Sequence, residues 1–435
     1  MNMYTPFAQM KLHSKVRFGD RWGRILRTNR FTLGGLLIVG VGVPLLVLAA
    51  TDIENIFAED HDRELLPTII VVFVAAIFAH IMLRNVGALA LTTDRALIFP
   101  SFFSAYAAAI AGATILGVKV GISTVALSFL GGMGWYLIVA SARRRAGRPR
   151  VGYIGYLPEK SALRRVRINW VSAIVERAEL IDVVAVVFDK HRPEDHITEQ
   201  VLQKAVLQGI PVYRQDYFRE MVTGTVSLDN HPVENFGYML PSRPLVRGKR
   251  LADLVVVVPA LLMALPVLII VGLAIKIESP GGALYRQQRV GYRGRRFVCY
   301  KLRSMRCDVD GPAFTTENDH RVTRVGKLIR KLRIDELPQL YNVLRGDMSL
   351  IGPRPESVIL ADQYAREIPF YVYRHSVRPG ITGWAAVHQG NVAHGDAARQ
   401  KLEYDFYYIK HCSVWLDFLI VLLTIRTIVT GFGSR

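Results

Sequence analysis

Asp335 and Glu336 are adjacent carboxylates that follow a run of unopposed positive charge. Arg321, Arg324, Lys327, Arg330, Lys331 and Arg333 are interleaved with Val322, Val325, Leu328, Ile329 and Leu332, and no acid falls within the interval. This pattern predicts an amphipathic basic helix, whose apolar face meets protein or bilayer while its guanidinium groups reach phosphate oxygens. A merely solvated face would mix in acids. Carboxylates beside several cations are expected to stay ionised, which suits a metal ligand or a nucleophile toward phosphorus. On the residues alone, helix capping or a salt bridge would serve equally well.

The elements that must hold this dyad are divided between lipid and water. In the 435-residue chain 51% of residues are hydrophobic, and the mean hydropathy is +0.23, which points to membrane segments rather than to one large soluble core. The formal net charge of +19 favours anionic partners: lipid head groups, phosphate-bearing substrates or nucleic acid. Cys299, Cys307 and Cys412 match neither a disulfide framework nor a zinc site, as expected on a reducing face. The basic first 30 residues lack the apolar core of a cleaved signal peptide.

Apolar runs at 31–51, 66–83, 97–118 and 121–140 predict four spans. The loop at 52–65 is acidic (Asp52, Glu54, Glu59, Asp60, Asp62, Glu64), whereas the N-terminal segment and Arg143, Arg144, Arg145, Arg148 and Arg150 are basic. The positive-inside bias therefore puts both ends of the four-span unit in the cytoplasm. The predicted divisions are an N-terminal segment 1–30, a transmembrane unit 31–142, a soluble α/β Rossmann-like domain 143–245 and a mainly α-helical monotopic catalytic domain 246–435. Within 143–245, Val151–Tyr156, Ile181–Phe188 and Ile210–Tyr213 read as strands and Glu199–Gln208 as a helix, a rhythm that implies a parallel sheet. Gly152 and Gly155 end the first strand, but without the glycine spacing of a dinucleotide loop.

Another apolar stretch, 254–275, has basic residues on both flanks: Arg247, Lys249 and Arg250 before it, and Arg286, Arg289, Arg293, Arg295 and Arg296 after it. With both flanks on one face, and Pro266 near the middle to break the helix, the expectation is a re-entrant membrane hairpin over 251–277. From Val246 onward 28 basic residues stand against 16 acidic ones, so this part carries +12 of the net charge. The apolar tail Trp415–Val429 reads as an interfacial helix.

Five motifs in one order resemble the bacterial polyprenyl-phosphate glycosyl-1-phosphate transferases. They are Lys301-Leu-Arg-Ser-Met305, Asp335-Glu-Leu-Pro-Gln-Leu-Tyr-Asn-Val343, Arg345-Gly-Asp-Met-Ser349, Gly352-Pro-Arg-Pro355 and Arg378-Pro-Gly-Ile-Thr-Gly-Trp384. The resemblance covers about 250–435 strongly, and the upstream organisation looks like that of the large, polytopic members that initiate exopolysaccharide or O-antigen repeat units. It implies that Asp335 attacks the β-phosphorus of a UDP-sugar, giving an aspartyl phosphosugar and UMP, after which undecaprenyl phosphate takes the sugar phosphate. It also implies that Glu336 helps bind Mg²⁺, an ion that prefers oxygen ligands shared with phosphates. By position, Lys301, Arg303, Arg330, Arg333, Arg354, Arg378 and Asp405 become substrate-binding candidates. Asp253 becomes a structural partner of an arginine, and Pro266 the break in the membrane helix. The chain departs from the usual pattern at Leu265, before that proline, and at Ala386, after Gly-Trp-Ala.

The resemblance further implies the bacterial inner membrane with the catalytic domain on its cytoplasmic face, a hexose such as glucose or galactose as the sugar, and surfaces that suit a homodimer. A rival reading is a membrane-tethered nucleotide-sensing or assembly protein of polysaccharide export, against which the intact Asp335-Glu336 pair weighs. Nucleic-acid binding would account for the charge, but the sequence has no recognition module for it.

Overall fold

The computed structural model describes residues 29–46, 62–89, 94–145, 150–155, 168–172, 183–189, 196–228, 241–306, 319–389 and 395–430. The N-terminal segment up to 28, most of the acidic loop at 52–65 and Cys307 lie outside the described residues. The chain divides into two compact units, Met1–Gly224 and Thr225–Arg435.

The first unit opens with α1 (Asn29–Leu36), which continues through a π-helical segment, Leu37–Gly42. Then come α2 (Asp62–Leu89), α3 (Asp94–Ile115) and α4 (Ile122–Arg145). The stretches Leu66–Asn85, Leu97–Ile115 and Ile122–Arg143 are long and apolar enough to cross a membrane, whereas the described part of the first expected span is the shorter apolar helix Arg30–Leu46. Several polar groups inside this bundle find partners on neighbouring helices, which satisfies them where water is excluded. Trp135 Nε1 donates to Thr32 O at 3.0 Å, and Tyr106 OH and Ser128 Oγ lie 2.6 Å apart.

The rest of this unit is β1 (Arg150–Ile154), β2 (Asn169–Ser172), β3 (Val183–Phe188), α5 (His196–Leu207), β4 (Val212–Arg214) and α6 (Gln215–Thr223). The strands form one sheet in the order β2-β1-β3-β4, and every pair is parallel, as the strand-helix-strand rhythm predicts. The sheet is covered on both faces. Val151, Ala185 and Val187 pack with Phe218 and Val222 of α6, while Ile154, Val183 and Val186 pack with Ala205 of α5.

The second unit is built on α7 (Arg243–Glu278), a 36-residue helix with Pro259 and Pro266 inside it. Instead of the hairpin expected over 251–277, the backbone follows a single helix. The reason lies in its faces. Both prolines sit on the exposed side, while Asp253, Val257, Ala264 and Ile275 are buried at helical spacing, so one docked stripe keeps its phase across Pro266. That stripe meets Leu340, Val343 and Met348 at one end and Leu302 and Ile329 at the other. Leu262, Met263 and Ile270 point away from the unit with more than 60% of their surface exposed, as lipid-facing residues would.

After α7 come the hairpin strands β5 (Leu284–Val290) and β6 (Arg296–Leu302), which are antiparallel, and then α8 (Arg324–Lys331). A 3₁₀ turn, Ile334–Glu336, leads into α9 (Gln339–Arg345) and β7 (Ser349–Ile351). The unit continues with α10 (Val358–Glu367), a 3₁₀ segment Tyr371–Ser376, β8 (Gly380–Thr382), α11 (Trp384–Gln389), α12 (Gly395–Lys410) and α13 (Val414–Thr430). Parallel pairing of β7 with β8 joins the Gly-Pro-Arg-Pro and Arg-Pro-Gly motifs back to back. A Cβ on Gly380 would lie 2.1 Å from Gly352 N, so only glycine allows the two backbones to approach this closely.

Candidate active site

The dyad sits where the basic helix stops. Thr323 caps α8 by accepting from Gly326 N at 2.9 Å, and Glu278 accepts from Arg324 N and Val325 N at 2.7 and 3.0 Å, which fixes the start of the helix against the end of α7. At its other end Arg333 takes a left-handed conformation (φ 59°), uncommon for a residue with a side chain. This turns the chain so that Asp335 and Glu336 enter the interior, each 8% exposed, immediately before α9.

The two carboxylates receive opposite treatment. Lys301 Nζ lies 3.4 Å and Arg333 Nη1 3.8 Å from Glu336 Oε1, and Arg354 Nη2 donates to the same oxygen. Burial alone would raise the Glu336 pKa, but the fields of Arg354, Lys301 and Arg333 outweigh it and hold the carboxyl at about 2. Among the described residues Asp335 makes no ion pair or hydrogen bond. Burial raises its pKa, the neighbouring Glu336 charge adds to the rise, and Lys301, Arg354 and Arg330 oppose it only in part. The expectation that nearby cations keep both carboxylates ionised thus holds for Glu336, whereas at Asp335 the shift runs the other way. The cations are spent on its neighbour.

Each partner of Glu336 is itself positioned. Asn342, fully buried on α9, accepts from Tyr300 N at 3.1 Å and donates to Val298 O at 2.7 Å. It fastens α9 to β6, next to Lys301. Arg354 is fixed through its backbone: Arg374 Nη2 donates to Arg354 O at 2.9 Å, while Arg374 Nε and Nη2 donate to Asp405 Oδ2 at 3.1 and 2.7 Å. Arg330 Nε donates to Ser304 Oγ at 2.8 Å, and its charge reaches Asp335.

Three candidates do not reach the dyad. Arg303, 5% exposed, donates to Pro280 O, Ile275 O, Ser279 O and Ser279 Oγ at 2.5, 3.3, 2.6 and 3.0 Å. It satisfies carbonyls at the C-terminal end of α7, a structural task. Asp405, 1% exposed, is paired with Arg374. Arg378 donates from Nε to Gly346 O at 3.2 Å, at the far end of α9, roughly 15 Å along the helix from Glu336 at 1.5 Å per residue. Asp253 is structural, as expected, but its partner is the Leu350 amide at 3.2 Å rather than an arginine. Arg374 and Asn342 went unrecognised, although Asn342 lies inside the dyad motif.

Of the described residues, a magnesium ion here would have only the two adjacent carboxylates, Asp335 and Glu336, as protein ligands. Among the described residues no group of three His, Cys, Asp or Glu side chains could hold a metal. The cations converge on one oxygen of Glu336, and Asp335 is unpaired beside it. Mg²⁺ is commonly held by one or two carboxylates and completed by waters and substrate phosphates.

Comparison with known proteins adds a class to this geometry. The sequence profile described as bacterial sugar transferase matches residues 245–431, which include every residue placed around the dyad. The chain belongs to the bacterial sugar transferase family. It is 52% identical over 239 residues to a UDP-N-acetylgalactosamine-undecaprenyl-phosphate N-acetylgalactosaminephosphotransferase of Aeromonas hydrophila, an alignment covering 54% of this chain and 56% of that protein. It thus spans little more than half the length of that relative. It is 46% identical over 219 residues to a UDP-glucose:undecaprenyl-phosphate glucose-1-phosphate transferase of Caulobacter vibrioides, covering 47% of this chain and 81% of the relative. It is 40% identical over 185 residues to the exopolysaccharide production protein PSS of Rhizobium leguminosarum bv. phaseoli, covering 41% of this chain and 92% of the relative.

Proposed function

We propose that the chain transfers a sugar-1-phosphate from a UDP-sugar to undecaprenyl phosphate at a membrane, releasing UMP and starting a polysaccharide repeat unit. The observation that carries this reading is the inequality of the dyad: Glu336 neutralised by three cations, and Asp335 buried, unpaired and adjacent. An Asp335 oxygen attacks the β-phosphorus, the bond to the bridging oxygen breaks, and UMP leaves with that electron pair. A phosphate oxygen of the lipid then displaces Asp335 from the same phosphorus, restoring the carboxylate. Lys301, Arg333 and Arg354 keep Glu336 ionised and in place, and Arg330 lends positive charge beside the attacking carboxylate. Mg²⁺, held by Glu336 together with substrate phosphates, would offset charge on the diphosphate.

Both ends of α7 are tied to the transferase unit, through Lys249 with Asp417 at one end and Glu278 with Arg324 and Val325 at the other. This supports a cytoplasmic location for both flanks. The expected hexose agrees with relatives named for glucose, whereas the 52% relative is named for N-acetylgalactosamine. The test is to incubate the purified chain with radiolabelled UDP-glucose, UDP-galactose or UDP-N-acetylgalactosamine without acceptor. A covalent phosphosugar on Asp335, located by mass spectrometry and discharged by undecaprenyl phosphate, is the expected result. UMP release only when both substrates are present, with no adduct, would point to direct attack by the lipid and overturn the role given to Asp335.

A further inference from the structure

A second pocket lies at the root of α7, lined by Leu245, Val246, Lys249, Arg250, Asp253, Tyr292, Ser349 and Arg378 among others. It belongs to the far end of α9: Arg250 donates to Val343 O and Leu344 O at 2.5 and 2.9 Å, capping the last carbonyls of that helix, while the dyad precedes its first turn. Two of its cations are committed, Arg250 to those carbonyls and Lys249 to Asp417 at 2.5 Å. Arg378 is different. Its Nε is anchored on Gly346 O and its guanidinium lies over the Tyr292 ring, 5.3 Å from the centroid, but among the described residues its terminal Nη groups have no protein partner. Ser349, 1% exposed, also lines the pocket and has an Oγ with no hydrogen-bond partner. A buried hydroxyl left unsatisfied is costly, so it marks a place built for another group.

A pre-positioned guanidinium fork and a free hydroxyl lining one pocket are chemistry suited to a phosphate. Size narrows the choice. The cavity measures about 40 Å³, room for about three waters at the ~10–15 Å³ that each needs, and hence for one tetrahedral group but not for a sugar or nucleoside. Its outer wall is Leu245 and Val246, at the start of the apolar helix that faces lipid. We propose that this pocket binds the phosphate of a membrane phospholipid head group, between Arg378 and Ser349, and so fixes the depth at which α7 enters the bilayer.

The experiment uses the full chain, purified in detergent and analysed by native mass spectrometry after exchange into mixed micelles of phosphatidylglycerol and phosphatidylcholine. Wild-type protein should keep one phosphatidylglycerol through dilution that strips phosphatidylcholine, and millimolar inorganic phosphate should compete with it. Arg378→Gln should weaken retention about tenfold, and Arg378→Lys, which keeps the charge but loses the fork, should fall between. Because Arg378 also anchors Gly346, Ser349→Ala gives an independent reading: it removes only the unpartnered hydroxyl and should weaken retention about threefold with an unchanged melting temperature. Equal retention of phosphatidylglycerol by wild type and all three variants would overturn the proposal. Inorganic phosphate bound at this site without any lipid retention would overturn the lipid assignment and make a soluble phosphate the ligand.

Discussion

The two units of this chain handle buried charge in opposite ways. Among the described residues of Met1–Gly224 the buried polar side chains are mostly hydroxyls (Thr32, Thr68, Ser101, Thr124, Ser128), and Glu220 is the one buried acid. In Thr225–Arg435 the interior takes in Asp253, Arg303, Asp319, Asp335, Glu336, Arg374 and Asp405. Burying ions is expensive even when they are paired, and replacing them by apolar residues often stabilises a fold. The first unit is therefore shaped by packing. The second keeps costly charges where they orient one another, which is the signature of a site that does chemistry.

The sharpest way to break this comparison is to remove charge at the dyad. Asp335→Asn should reduce acceptor-independent UMP release by at least about a thousandfold, since an amide cannot form the phosphosugar adduct. Glu336→Gln should also be severely impaired, but mainly through weaker Mg²⁺ binding, so raising Mg²⁺ should recover part of its rate. Equal insensitivity of both variants to Mg²⁺ would erase the distinction between the two carboxylates.

A second test targets the buried pair behind Arg354. Arg374→Met strands Asp405 without its partner and should cost about 3–5 kcal/mol in a denaturant melt. Arg374→Lys keeps the charge but cannot grip Asp405 and the Arg354 carbonyl together. It should fold, with activity reduced about tenfold and a raised Mg²⁺ requirement. A purely structural Arg374 would lower the melt and leave the Mg²⁺ dependence unmoved.

The third test is pH. Burial would raise the Glu356 pKa, but Lys401 and Arg374 outweigh it and bring it from 4.5 to about 2. Because the folded value lies below the unfolded one, the stabilisation is complete above pH 4.5 and fades as pH falls toward about 2. Its size is about 3 kcal/mol at neutral pH. Lys401→Met should remove most of that acid-sensitive increment, read from melts between pH 6 and 3. An unchanged acid limb would show that the Lys401–Glu356 pair does not hold this unit together.

The smallest effect is expected from deleting the first unit. Residues 225–435 hold the whole candidate site, and the Rhizobium relative is matched over 92% of its length by 185 residues of this chain. That fragment, in detergent or lipid, should keep activity within about threefold of the full chain. A shorter fragment starting at 246 loses the hydrogen bond from Val226 N to Glu403 O and the buried Val226 and Leu228, and should melt lower. Loss of activity in a well-folded 225–435 fragment would show that the packed unit contributes to catalysis.

The sequence disclosed what lies close along the chain or follows a simple period. Asp335, Glu336 and Arg333 stood out through charge, Lys301 and Arg354 through the motifs that carry the family resemblance, and the parallel sheet and apolar helices through periodicity. What it hid depends on long-range packing. Arg303 and Asp405 have the same residue types as substrate-binding groups, and only their burial against Ser279 and Arg374 shows that they hold structure. Arg374 lies outside the quoted motifs and became visible only through its contact with the Arg354 carbonyl, 20 residues away. Pro266 and the basic flanks together suggested a break, whereas the docked stripe of α7 carries the helix across it.

The bond between Lys249 and Asp417 joins residues 168 positions apart, and Thr382 of β8 meets Thr424 of α13 at 2.7 Å. Helix α13 therefore secures both the foot of α7 and the strand paired with β7, yet it is made after the other described helices. On the ribosome the apolar α7 is synthesised long before the segment that ties it down, and it waits without Asp417 while more than a hundred residues follow. A nascent chain stalled before α13 should consequently be membrane-bound but incompetent. Synthesis of α13, rather than membrane insertion of α7, becomes the event that assembles this unit.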